Sequence, residues 1–512
     1  MKLLKLVIVL YRMQLLSFRG LTAVLSTVQK HGVNLMTLLE IREKYNGQDT
    51  ALVDDNGSVS YSELLAQSSC WATSLRETYG LRAGQKAGVL CRNHIPLVGS
   101  LIAVSRLGAD CYLLNPEIGR EQFSSLTSIH DFDLLICDAD LTGLVEGSES
   151  GLRKVCILHP DKPVTSRQKA TSLGKEWQVS RSSAGRLILL TGGTTGAPKE
   201  APHKPSLFKF LNPFLAVLIR LNFLNLKTIH IATPLYHGYG LAILLVCLAL
   251  GKKAVLSSRF DAHRTCSLIR KHHVEAVTVV PLMLQKMLRA NTDDLQSLCC
   301  IASGGAALSP QLVLETEHAL GPVLYNLYGT SEAGLNLIAT PEDLKAAPAT
   351  NGRQITGMQL KIIDANKKPV PDGMIGHICV KSGWSMNNRK RDWIETGDLG
   401  YRSKEGYYFL CGRIDDMIVS GGENVYPVEV ERVLSQHPLI EDVAVIGVDD
   451  DRFGQRLRAF VQTAEGTELT EEVLADWLGE RIARYQMPRE IRFVKRLPYT
   501  SLGKLNKKRL QS

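Results

Sequence analysis

The sequence predicts an α/β protein: a large N-terminal domain of two parallel-rich αβ subdomains plus a β-subdomain, followed by a small α+β C-terminal domain. Three observations predict it. Strand-like apolar runs alternate with helical patterns from residue 49 to about 330, which implies largely parallel sheets covered by helices. Between 355 and 411 the strands shorten and are separated by turns such as Pro371-Asp372-Gly373 and Glu405-Gly406, the pattern of an antiparallel subdomain. From about 413 the composition turns charged and compact, and 512 residues exceed the roughly 250–300 at which single cores stop growing. The boundaries follow as a helical lead over 1–44, the large domain over 45–412 and the small domain over 413–512.

Hydrophobic residues make up 45% of the chain and charged residues 22%, ordinary for a soluble globular protein. The net charge of +9 is spread along the sequence and is densest at 495–509. It lacks the interleaved aromatic and basic residues of an RNA-binding surface, so nucleic acid is not expected as a partner. Eleven cysteines, with no C-x-x-C pair, argue against a disulfide framework and for a reducing cytosolic compartment. Cys299 and Cys300 adjoin in an apolar context and are expected to be buried.

The lead opens MKLLKLVIVLY, where the apolar run from Leu6 to Tyr11 is too short for a signal peptide and no clean cleavage pattern follows. Apolar residues continue to Leu39 with Lys and Arg interspersed, which predicts one or two amphipathic helices. Packing on the protein body is the default expectation for such helices, and peripheral contact with a membrane through residues 1–39 is the alternative. No stretch reaches ~18 uninterrupted apolar residues, so no transmembrane helix is predicted. Ser60 then caps a helix over 61–78. Residues 87–91 form a buried strand, 97–109 a helix ending at glycine, and 110–116 a strand stopped by proline. Residues 146–185 are linker-like apart from the strand KVCIL. Further strands lie within 228–240, 252–258 and 276–281, with a helix at 262–273, and Ser309 caps a helix begun by Pro310. The apolar stretches 208–226 and 241–250 read as core helices.

Three strands, ending near 190, 302 and 328, each run into a turn rich in glycine and hydroxyls. The first, 191–199, reads TGGTTGAPK. Glycines let backbone amides approach an anion, threonines add donors and Lys199 adds a point charge. That is the chemistry of a phosphate loop, although a polar turn between two strands has the same composition. It is not a Walker A loop, because Lys199 follows Pro198 and precedes Glu200. The second turn holds Gly304 and Gly305, and the third holds Tyr328, Gly329, Thr330, Ser331 and Glu332. Ligands of open α/β sheets sit at the carboxyl ends of strands, so three such turns predict a nucleotide site. At 396–400, TGDLG places Asp398 in a tight glycine turn, either to accept both ribose hydroxyls or only to make the turn.

Taken in order, TGGTTGAPK, YGTSE, TGD, GRIDDMIVSGGENVYPVEVE and PYTSLGK resemble the motifs of the adenylate-forming (AMP-binding) enzymes, and most resemble those of the fatty acyl-CoA synthetases. The resemblance runs from about residue 45 to the end. It implies that Thr191, Gly192, Gly193, Thr194, Thr195, Gly196 and Lys199 form the pyrophosphate-binding loop. It implies adenine contacts from Gly304, Gly305 and Tyr328, with Gly329 and Thr330 beside them. Ser331 would lie near the α-phosphate, and Glu332 would hold Mg²⁺. Asp398 and Arg413 would bind the ribose, and Asp415 would be the hinge of a mobile small domain. Ser420, Gly421 and Gly422 would reach coenzyme A, and Lys504 would be the catalytic lysine of adenylation. A substrate carboxylate attacking the α-phosphate brings two anions together, so Mg²⁺ and Lys504 are where charge must be offset.

Three features depart from the family pattern. Gly192 replaces the usual serine, Glu200 the usual glycine, and the segment between Val380 and Trp393 is short. The resulting expectation is a cytoplasmic ATP-dependent acid–CoA ligase, with ATP, Mg²⁺ and coenzyme A as cofactors and co-substrates. Its acid is expected to be a medium- or long-chain fatty acid, held by 208–226 and 236–250 with His237 at the pocket mouth. An acyl-AMP ligase that loads a carrier protein, and a catalytically inactive nucleotide-binding homologue, are the alternatives.

Overall fold

Apolar runs of four or five residues become buried strands wherever both faces are covered, and the first 279 residues hold two sheets made that way. The computed structural model describes residues 7, 9–11, 14–146, 154–159, 181–191, 199–203, 211–385, 392–420, 423–464, 466–500 and 505–511. These fall into two compact units. The first comprises 1–279, 290–301 and 384–390, and the second 280–289, 302–383 and 391–512.

In the first unit one sheet runs Val155–Leu158, Leu134–Asp138, Lys86–Leu90, Asp110–Leu113, Leu187–Thr191 and Lys199–His203. Its strands pair in parallel except for the last, which returns antiparallel. The other sheet passes from Gly57–Ser60 through Thr50–Asp54, Lys253–Leu256 and Thr228–Ile231 to Ala276–Val279, parallel except at its first pair. Helices start and stop where the sequence says they should. Ser60 and Glu63 form a reciprocal capping box at the head of Tyr61–Glu77. The buried helix Ile95–Leu107 ends at Gly108, whose φ of 74° suits glycine. Gly238–Leu250 is a mostly buried core helix closed by Gly251.

In the second unit Cys300–Gly304, whose last three residues belong to it, neighbours Leu324–Thr330, and Gly334–Ala339 and Arg353–Gln354 extend the sheet antiparallel. The expected antiparallel subdomain is a four-stranded meander of Gln359–Ile363, Gly376–Lys381, Ile394–Arg402 and Tyr408–Arg413. Beyond it, the long strands Ile440–Asp450 and Gly454–Thr463 alternate their side chains between two cores. Val445, Ala459 and Val461 join Val430, Leu434 and Leu474 on one side, whereas Ala444, Ile446 and Phe460 join Leu497 and Leu510 on the other.

Two expectations are corrected. Cys300 is buried but Cys299 is exposed, because the strand begins only at Cys300. TGDLG is not a tight turn: it lies inside the strand Ile394–Arg402, and only Gly397, at φ 78°, takes a turn-like conformation.

Candidate active site

The strand Leu187–Thr191 delivers the first glycine-rich segment, and Lys199–His203 receives it in a register that sets Thr191 opposite Lys199. The segment is therefore the connection of a hairpin, an arrangement common to a phosphate loop and a plain polar turn. Gly192, Gly193, Thr194, Thr195 and Gly196 lie outside the described residues. His237 stands at the N-cap of Gly238–Leu250, partly buried, with its ring 4.4 Å from that of Tyr236.

In the second unit, Gly304 is buried at the end of its strand, and Gly305, exposed, adopts φ +82°. Tyr328, Gly329 and Thr330 end Leu324–Thr330, and Ser331 to Ala333 turn the chain back. The turn is fixed by the Ala333 amide donating to the Thr330 hydroxyl at 3.1 Å. A side chain on Gly329 would put its Cβ 2.6 Å from the Gly334 carbonyl, so only glycine fits. Glu332 is half-buried and makes no ion pair among the described residues. Glu332 follows Thr330 and Ser331 in the same turn, and a hard carboxylate with hydroxyls adjacent in the chain is the kind of donor set that fits Mg²⁺, which takes few protein oxygens and shares the rest with water and phosphate.

Three expected residues are brought together. The Tyr328 hydroxyl donates to Asp398 Oδ2 at 2.6 Å, and Arg413 Nη1 donates to Asp398 Oδ1 at 3.1 Å. Asp398 and Arg413 are direct partners across the meander, and a side chain on Gly397 would collide with the guanidinium at 2.6 Å. Burial, and then the Asp398 charge, push the Tyr328 phenol well above its ordinary range, so it stays a donor. The result is a carboxylate held from two sides, next to a buried ring. Arg413 also lies 3.6 Å from Asp415, which is exposed in the short turn Ile414–Asp416.

Ser420, 5% exposed, ends Ile418–Ser420 opposite Glu423 and Gly454. Gly421, Gly422 and Lys504 lie outside the described residues. Flanking Lys504 in sequence, Tyr499 and Leu505 pair as an isolated bridge. Tyr499 donates to Asp442 at 2.7 Å, and Lys507 binds Asp416 at 2.9 Å.

Sequence reasoning missed Ser303 and Asn336. Both are fully buried, and the Ser303 hydroxyl and both Asn336 amide atoms have no hydrogen-bond partner among the described residues. Asn336 is the extra residue at an irregularity, since Tyr328 pairs with Leu337 and Gly329 with Leu335. Such bulges re-aim side chains beside functional sites. The only available signal was a single amide inside the apolar run LNLIA.

Two other features are structural. Cys91, His94 and Asp138 cluster within 4.8 Å, but one His94 nitrogen accepts from the Leu97 amide and the other meets Asp138 at 2.7 Å, which leaves no ring nitrogen for a metal. A cavity of about 400 Å³ lined by Arg353, Arg402, Lys404 and Glu405 has its arginines near Asp343 and Asp372.

Comparison with known proteins bears on this geometry. The 2-succinylbenzoate–CoA ligase of Bacillus cereus is 27% identical over 449 residues, covering 84% of this chain and 89% of the relative. The indoleacetate–CoA ligase of Aromatoleum aromaticum is 28% identical over 505 residues, covering 92% and 97%. Among solved structures, the o-succinylbenzoate CoA synthetase of Bacillus subtilis with its acyl-adenylate intermediate matches at a TM-score of 0.80 and 25% identity, over 93% of this chain and 98% of that one. ATP-bound MatB from Rhodopseudomonas palustris shares the fold, with a TM-score of 0.83 at 24% identity and coverage of 93% and 98%. Residues 39–388 match the AMP-binding enzyme family and residues 429–504 match the AMP-binding enzyme C-terminal domain. The glycine-rich hairpin and the Tyr328–Asp398–Arg413 cluster both fall in a chain that belongs to the AMP-binding enzyme family.

Proposed function

We propose that this protein is an ATP-dependent acid–CoA ligase. The substrate carboxylate attacks the α-phosphorus of ATP and displaces pyrophosphate, giving acyl-AMP. The thiol of coenzyme A then attacks the acyl carbon and AMP leaves, giving the thioester. The observation that carries this reading is the oriented Asp398 carboxylate between Tyr328 and Arg413, in a chain with both family segments.

In this reading residues 191–199 grip the β- and γ-phosphates, Gly304 and Gly305 offer backbone to adenine, and Tyr328 stacks on it. Gly329 and Thr330 shape the same pocket. Asp398 and Arg413 orient the ribose, and Ser331 lies by the α-phosphate. Glu332 is the carboxylate for Mg²⁺, which when bound offsets phosphate charge. Lys504 donates to the developing charge in the first step, Asp415 is the hinge, and Ser420, Gly421 and Gly422 serve coenzyme A in the second. Residues 1–44 are the lead, 45–412 the adenylation domain and 413–512 a mobile small domain. The closed cores around Val445 and Phe460 support that last boundary.

The expected fatty-acid substrate finds no support in the relatives, whose named acids, succinylbenzoate and indoleacetate, are aromatic. We favour an aromatic acid, with the helix Gly238–Leu250 and His237 on its apolar side. The enzyme is assigned to the cytoplasm, with residues 1–39 touching the inner face of a membrane.

Lys504→Ala tests the division of labour. It should slow adenylation by ~10²–10³ and spare thioester formation from supplied acyl-AMP and coenzyme A. Equal loss in both half-reactions would refute the assigned role.

A further inference from the structure

We propose that the helix Phe18–His31 docks on an anionic lipid surface, lying in its plane with Phe18, Leu21 and Leu25 inserted. This deepens the peripheral contact assigned to residues 1–39 and is independent of the ligase chemistry. Phe18, Leu21 and Leu25 are 85%, 51% and 70% exposed. Their spacing of three and four places them on one stripe of the helix. The other side carries the small residues Gly20, Ala23 and Thr27, all buried.

The helix is fixed to the protein, so the stripe is a built surface and not a frayed end. Lys44, on the following helix Leu35–Asn46, donates to Thr27 at 3.1 Å, and Lys30 and His31 both meet Glu40 on that helix. Arg19 donates to the Lys44 carbonyl and its guanidinium lies 5.6 Å from the centre of the Tyr45 ring. Leu16, Tyr11 and Val7, earlier in the same lead, are exposed as well. Seven of the nineteen exposed large hydrophobic residues among those described fall in the first 33 positions, a clustering that marks an interaction site.

Charge selects the occupant. Residues 1–39 contain Lys2, Lys5, Arg12, Arg19 and Lys30 and no aspartate or glutamate. A second copy of this segment would add like charge, because residues 1–39 carry no acidic residue of their own. An anionic leaflet supplies opposite charge together with apolar depth for the stripe, the combination that holds amphipathic helices at interfaces. No described helix is long and apolar enough to cross a membrane.

The test is co-sedimentation of the full chain with vesicles of phosphatidylglycerol in phosphatidylcholine, compared with phosphatidylcholine alone. Binding should be about tenfold stronger to the anionic vesicles and should weaken as salt is raised. Replacing Phe18, Leu21 and Leu25 together with serine should cut binding by about tenfold or more, with the thermal midpoint and vesicle-free pyrophosphate exchange little changed. As a second variant, Phe18→Trp should shift its added emission to the blue on vesicle addition and be quenched by brominated lipid. Absence of binding to anionic vesicles, equal binding by the triple variant, an unshifted emission from the introduced indole, or a dimer that the triple variant dissociates would each overturn the proposal. Loss of exchange with binding intact would count against the ligase reading alone.

Discussion

Asp398 accepts from the Tyr328 phenol on one side and the Arg413 guanidinium on the other. Hydrogen bonds to charged groups contribute about 1.5–3 kcal/mol, or about tenfold to a hundredfold in affinity. Tyr328→Phe keeps the ring and removes the donor, so the KM for ATP should rise by about tenfold with kcat less affected. Titrating ATP at saturating acid checks this; an unchanged KM would disconnect the cluster from the nucleotide. Each of the three residues was legible in the sequence through its motif. Their contact was not, because Tyr328 and Asp398 are 70 residues apart and sit on two different sheets, so only tertiary packing brings them together. Asn336 was illegible for a related reason, since its burial and its place at a strand irregularity belong to the pairing and not to the local sequence.

Caps and core strands were the elements best read in advance, because Ser60, Gly108 and Ser309 act through local backbone geometry that the sequence states directly. TGDLG misled because glycines signal turns, whereas here Gly397 makes room for the Arg413 guanidinium beside the strand. Lys199–His203 contains Pro202, which discourages a strand reading; it is tolerated because this strand is the edge of its sheet. The strand Thr228–Ile231 carries an acid-sensitive group. Burial depresses the His230 imidazole from 6.5 to about 4, so the folded chain keeps it neutral while the unfolded chain takes up a proton. The stability of the neutral form is full above 6.5 and declines as pH falls from there toward 4. Over that window the wild type should lose about 3 kcal/mol that His230→Leu does not lose. Unfolding midpoints of the two proteins against pH check it, and parallel curves would show that His230 does not contribute.

Over the whole molecule, the order of five weak motifs identified the family more firmly than any one of them, and the two family matches at 39–388 and 429–504 agree with that order. Substrate choice was the least legible property. The apolar composition of 236–250 suggested a fatty acid, but Gly238–Leu250 is mostly buried in the body of its unit, as any core helix would be, and the relatives' named acids are aromatic. Adenylation of a carboxylic acid is the step on which the proposed function rests. Its most direct test is ATP–pyrophosphate exchange by the full chain across a panel of acids, from benzoate- and indole-type acids to fatty acids of increasing length. Exchange should require both Mg²⁺ and an acid and be fastest with an aromatic one; no exchange with any acid would contradict the ligase reading.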